Sequence, residues 1–123
     1  MKVADLGSMT VTQLVDRFTE LCLAQFRAEL FDEVAKENRF IRQSIAVADE
    51  LKKRDGDQRR ALVPLFGHPN PQVRLMAAEF TLFVAPTESR QTLQEIWERK
   101  EFPQAAYAMG TLRALERGDR KPT

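Results

Sequence analysis

Apolar residues recur at intervals of three and four along almost the whole chain, the spacing of amphipathic helices. Thr10-x-x-Gln13 reads as a capping box, and Leu14, Phe18, Leu21, Cys22, Phe26 and Leu30 follow as one stripe. This predicts a helix over Val11–Leu30. Val34, Phe40, Ile41, Ile45, Ala48 and Leu51 form the apolar side of a second helix within Asp32–Arg54. No Gly or Pro separates the two, so the break is placed near Leu30–Glu33. Asp55-Gly56-Asp57 then stops one helix and starts the next, with Gly56 for the C-terminal cap and Asp57 for the N-cap. A third helix is expected over Gln58–Phe66, bent or shortened by Pro64. After the turn Gly67-His68-Pro69-Asn70-Pro71 comes a fourth, Pro71–Val84, with Asn70 as cap and Pro71 at its first position. Thr87 opens a fifth, carrying Leu93, Ile96 and Trp97. Glu101-Phe102-Pro103 is the next turn. The sixth runs from Gln104 to about Arg117, with Ala105, Ala108, Met109 and Leu112 inward and Gly118 at its end. No segment alternates at period two as a strand does.

The fourth helix is apolar over most of its circumference. Val73, Met76, Ala77, Phe80 and Val84 make one stripe; Leu75, Ala78 and Leu82 make another. Such a helix needs neighbours on several sides, so the rest of the chain is expected to pack around it. Gln72, Arg74, Glu79 and Thr81 are its plainly polar positions.

The last four helices read as two copies of one unit. Pro71-Gln72-Val73 falls on Pro103-Gln104-Ala105 at a shift of 32 residues, and Leu62, Leu65 and Phe66 fall on Leu93, Ile96 and Trp97 at a shift of 31. Two helices per unit at this period is the signature of stacked helical hairpins. Asn70-Pro71-Gln72-Val73-Arg74-x-x-Ala77-Ala78 resembles the second-helix core of a HEAT repeat. The wider pattern, from Asp55-Gly56-Asp57 through the HPNPQVRLMAA stretch to Phe102-Pro103-Gln104 and Lys121-Pro122-Thr123, resembles a bacterial family known only as a domain of unknown function with HEAT-like helices. The resemblance implies a fold and no activity or ligand. One departure is that His68 and Asn70 stand where a HEAT repeat carries an Asp near the turn, which removes the usual partner of Arg74. The expected fold is therefore all-α: about six helices in stacked antiparallel hairpins, a short α-solenoid of HEAT or armadillo type. Residues 1–9 read as a loose lead-in, 10–118 as one helical domain and 119–123 as a tail.

Composition narrows the function classes. At 123 residues the chain is long enough for a core, and 43% hydrophobic with 30% charged residues describes a globular protein. The net charge of +1 gives no general drive towards nucleic acid or an anionic membrane. One cysteine and one histidine leave no disulfide, cysteine-rich zinc site or two-histidine metal site, so no cofactor is expected. The N-terminus MKVADLGSM lacks the apolar core of a signal peptide, and no run reaches membrane-span length. A cytoplasmic protein is expected.

Candidate chemistry is sparse. Cys22 lies on the inner stripe and reads as a core residue. A catalytic His68 would need a serine or threonine, and Ser8, Ser44 and Ser89 carry no supporting motif; a turn histidine is the simpler reading. The carboxylate pairs, such as Glu95 with Glu98 or Asp49 with Glu50, have basic neighbours one turn away and read as solvated ion pairs. A non-enzymatic module that binds a protein partner through a helical face is the leading expectation, with Arg39, Arg42, Arg74, Glu79 and Tyr107 as candidate surface residues. Arg74 has a second reading, as a bridge between neighbouring helix ends. The alternatives are nucleic-acid binding through Lys52, Lys53, Arg54, Arg59 and Arg60, and a small-ligand or enzyme site between helices. Monomer and homodimer are both open. Trp97 reads as core.

Overall fold

The computed structural model describes residues 5–123. Five α-helices follow in order: α1 (Val11–Leu30), α2 (Val34–Lys53), α3 (Pro71–Phe80), α4 (Pro86–Glu98) and α5 (Gln104–Arg117). Two 3-10 helices, Leu6–Ser8 and Gln58–Gly67, complete the elements among the described residues. No strand occurs among the described residues. The all-α expectation holds, with the third helix in 3-10 form around Pro64. The chain divides at Ala61–Leu62 into two compact units, each described by itself below.

The first unit is a hairpin of two twenty-residue helices packed along their lengths. α1 starts where its capping box places it: Thr10 Oγ1 accepts the Gln13 N–H at 3.1 Å, and Gln13 Oε1 accepts the Thr10 N–H at 2.8 Å. Its buried stripe is Leu14, Phe18, Leu21, Cys22, Gln25 and Ala28. The break after α1 has no glycine, yet its geometry is that of a glycine-type stop. Asp32 takes φ 56°, the Asp32 N–H bonds to the Glu29 carbonyl, and the Glu33 N–H reaches back to Ala28. That is the paired bonding of a Schellman ending, with aspartate where glycine is usual. Part of the expected lead-in, Met1–Ala4, lies outside the described residues. The rest is not loose: Asp5 caps the turn Leu6–Ser8, and Arg54 Nη2 at the far end of α2 donates to the Leu6 carbonyl at 3.0 Å.

The second unit packs α4 against both α3 and α5. Six of the ten residues of α3 are buried, on more than one flank: Gln72, Val73, Arg74, Leu75, Ala77 and Ala78. The enclosure expected for this helix is present. The helix ends at Phe80, one turn short of Val84, because the Thr81 hydroxyl bonds the carbonyls of Ala77 and Ala78 and also Ser89 Oγ at 2.8 Å. A hydroxyl that competes for the last carbonyls favours a turn over a further helical step. The core of the unit gathers Leu75, Ala78, Leu82, Leu93, Ile96, Ala105 and Ala108, with Phe66, Trp97, Leu112 and Leu115 against it. Trp97 is half-buried and meets Phe102 edge to face, ring centroids 6.2 Å apart. α4 stops as α1 does, on a left-handed Lys100 at φ 56°, and α5 on Gly118 at φ 78°.

The 32-residue shift has a physical meaning. Gln104 Nε2 donates to Gln72 Oε1 at 2.9 Å, and the Thr111 hydroxyl donates to Glu79 Oε2 at 2.6 Å. Both pairs join residues 32 apart. Equivalent positions of the two helices therefore touch at two levels, so α3 and α5 run side by side, parallel and in register.

Candidate functional site

Arg74 occupies the first turn of α3 and is 6% exposed. Its Nε donates to the His68 carbonyl at 2.7 Å and its Nη2 to the Pro69 carbonyl at 3.3 Å. Nη1 and Nη2 hold the Glu101 carboxylate as a fork, at 2.6 and 2.7 Å. The fork is a bidentate, charge-assisted pair, the strongest polar geometry available to a side chain. Hydrogen bonding from Arg74 pulls Glu101 below its ordinary value against the opposing effect of burial. Arg74 thus ties the turn before α3 to the turn before α5. Its place as a surface residue is corrected: it bridges neighbouring helix ends. The partner missing from the His68–Asn70 turn is supplied by Glu101, 27 residues on.

Beside this fork lies a polar cleft of about 200 Å³, lined by Phe66, Gly67, His68, Pro69, Arg74, Thr92, Glu95 and Arg99. Its histidine and its hydroxyl are already engaged. His68 Nδ1 accepts the Asn70 N–H at 3.0 Å, which assigns the neutral ring's proton to Nε2. The Thr92 hydroxyl donates to the Glu88 carbonyl at 2.9 Å. The volume is below the roughly 300 Å³ at which small-molecule sites begin. Among the described residues no hydroxyl is hydrogen-bonded to the His68 ring. Cys22, in the other unit, is fully buried, and burial pushes its thiol well above its ordinary value, away from thiolate chemistry.

The basic cluster is partly neutralised from within. Glu50 receives Arg54 Nε at 2.8 Å and Lys53 Nζ at 3.1 Å. Asp57 receives Arg59 Nε at 2.8 Å and Nη2 at 2.6 Å. Hydrogen bonds from Arg54 and Lys53 lower Glu50, and those from Arg59 lower Asp57, so both acids stay charged well into the acid range. Arg59 is buried; Lys52, Lys53 and Arg60 are exposed. Three of the five cations, Lys53, Arg54 and Arg59, are therefore paired with carboxylates.

Of the remaining candidates, Glu79 is also turned inward, where it accepts from Thr111 and Arg120. Arg120 belongs to the segment read as a free tail, and this bond fixes the start of that segment to α3. Arg39, Arg42 and Tyr107 are exposed. The Arg39 guanidinium lies 5.3 Å from the Phe40 ring centroid, a cation–π arrangement. The five candidates fall on different elements: Arg39 and Arg42 on α2 of the first unit, Tyr107 on α5, and Arg74 and Glu79 at opposite ends of α3.

Sequence reasoning missed the largest apolar exposure. Leu30, Phe31 and Val34, at the α1–α2 turn, are 65%, 74% and 58% exposed, and Ile45 further along α2 is 40% exposed. The signal available was the break itself: apolar residues on either side of a helix stop leave the buried stripe. Near the same turn, Glu29 is raised by burial and by the like charge and hydrogen bond of Glu37, a carboxylate pair that helical spacing within one helix could not reveal. Among the described residues no His, Cys, Asp and Glu cluster suits a metal, and no helix is long and apolar enough to cross a membrane.

A family model described as a domain of unknown function (DUF2019) matches residues 12–116. The crystal structure of the protein RPA1889 from Rhodopseudomonas palustris CGA009 has 45% sequence identity to this chain, with 98% of this chain and 100% of that one covered and a TM-score of 0.96. No curated protein matches.

Proposed function

We propose a role from the premise that the chain belongs to this DUF2019 family: it is a non-enzymatic helical module that binds a protein partner through the α1–α2 hairpin. The carrying observation is the exposed apolar tip of Leu30, Phe31 and Val34, continued along α2 by Ile45 beside the exposed Arg39 and Arg42. Aromatic residues and arginine dominate binding hot spots, and among the described residues neither Arg39 nor Arg42 is held in an ion pair. A non-enzymatic reading is supported by the buried Cys22, the engaged His68 and a cleft without a free nucleophile. The 32-residue register of α3 and α5 supports a two-unit solenoid of HEAT type as the scaffold.

The test is retention of a partner from the native cell extract on immobilised chain. A protein retained by the wild type and lost with Phe31→Ser and with Arg42→Glu supports the reading. Equal retention by wild type and both variants overturns it. A salt-dependent affinity for duplex or single-stranded nucleic acid, abolished by Lys52→Glu with Arg60→Glu, would instead favour the basic cluster.

A further inference from the structure

The cleft beside the Arg74–Glu101 fork carries charges that the fork does not neutralise. One wall is the turn from Phe66 to Pro69. The other is the end of α4, where Thr92, Glu95 and the cap residue Arg99 follow at intervals of three and four and share a face. Arg74 lines it from α3. That guanidinium donates four of its five N–H groups, two to carbonyls and two to Glu101, which leaves one on Nη1. His68 accepts at Nδ1, so Nε2 is its donor. Glu95 and Arg99 are both exposed, and among the described residues neither is held in an ion pair. Glu95 receives a long bond of 3.4 Å from Gln91 Nε2.

These charges are close enough to act on the fork. Hydrogen bonding to Glu101 raises the Arg74 pKa, and the charge of Glu95 raises it further. Glu101 is lowered first by Arg74 and in addition by the charge of Arg99. Arg74 and Glu101 offset each other. The cleft then offers one cation, Arg99, and one anion, Glu95, a helical turn apart on one wall.

That balance selects the ligand. A simple anion meets Arg99 and the His68 donor but is repelled by Glu95. A simple cation meets Glu95 but is repelled by Arg99. A molecule that carries both charges is complementary to both groups at once. Size narrows the class: a volume of about 200 Å³ equals roughly seven waters of liquid, which suits a molecule of about that many heavy atoms. Phe66 and Pro69 supply an apolar patch for a short side chain.

We propose that this cleft binds a small free amino acid, held by Arg99 and His68 at its carboxylate and by Glu95 at its ammonium, without reacting with it. The site lies in the second unit and is independent of the partner surface proposed on the α1–α2 hairpin.

The experiment follows backbone amide shifts of the isotope-labelled full chain as glycine, L-alanine, L-serine or L-valine is added at millimolar concentration. Propionate and ethylamine serve as the single-charge counterparts of alanine. At least one amino acid is expected to shift amides of residues 66–69 and 92–99 to saturation, with both counterparts weaker by about tenfold or more. Arg99→Gln and Glu95→Gln change exposed side chains outside any ion pair, so each is expected to keep the wild-type spectrum and melting temperature while weakening binding by about tenfold or more. Arg39→Gln, in the other unit, is expected to bind like the wild type. Four amino acids without saturable shifts in those residues overturn the proposal. So does propionate or ethylamine binding as tightly as the amino acid, or undiminished affinity in either cleft variant.

Discussion

The two units reach stability by different means. The α1–α2 hairpin has two long helices, each with a continuous inner stripe, and its ion pairs lie mostly at the helix ends. The unit from Leu62 onward has helices of ten to fourteen residues, too short to be stable alone, and adds specific polar links: Arg74 with Glu101, Gln72 with Gln104, Thr81 with Ser89, Glu79 with Thr111. A long helix gains from each added turn of apolar contact. A short one depends on a few particular partners, and loss of any one is felt more.

Ala77→Arg should break the second unit outright. Ala77 is 0% exposed, and an arginine there costs about 4 kcal/mol or more through overpacking and an unpaired buried charge. Loss of a cooperative thermal transition is the readout; an unchanged melting temperature would mean that α3 is not central. Arg74→Met comes next, at about 3 kcal/mol, because it leaves a partly buried carboxylate without its partner. Arg54→Met in the hairpin should cost less, since Lys53 remains to pair with Glu50. Equal losses in chemical denaturation would erase the contrast drawn between the units.

Glu101 and Glu29, one in each unit, should also respond oppositely to acid. Glu101 is held below its ordinary value, so the native state binds fewer protons than the unfolded one around that range. Its contribution is complete above the ordinary carboxylate value and is lost as pH falls through the lowered one. Glu101→Gln should therefore destabilise at neutral pH, with the difference shrinking in acid. Glu29 is raised by burial and by Glu37, so its ionisation opposes folding as pH rises through the raised value. Glu29→Gln should stabilise slightly at neutral pH, and that gain should vanish in acid. Melting temperatures across pH for both variants test the signs.

The smallest expected effects lie at the helix stops. Asp32→Gly and Lys100→Gly each relieve a left-handed residue with a side chain and should stabilise by about 0.5–1 kcal/mol. A loss of stability in either would show that the side chain contributes more than its backbone strain removes.

These stops also explain what the sequence could and could not tell. α1 was legible to the residue at both ends, because the capping box is a local chemical signature and the apolar stripe runs without interruption. The end of α4 was placed only approximately, since a Schellman ending on lysine looks like continuing helix. The last turn expected of α3 was lost to Thr81, whose hydroxyl partner Ser89 is eight residues away. The candidate surface was less legible than the fold. Arg74 and Glu79 are polar residues on a core helix, and whether they face solvent depends on Glu101 and Thr111, which helical periodicity does not connect to them. Arg39, Arg42 and Tyr107 are exposed, and their exposure depends on no such distant partner.

The two pairs that join α3 to α5 sit seven residues apart on each helix, about two turns. A single link would act as a pivot. Two at separate heights act as pins through a hinge plate: neither helix can roll about its axis or slip along the other without shearing one of them. Any load applied to the last helix is thereby delivered to the most enclosed helix of the chain.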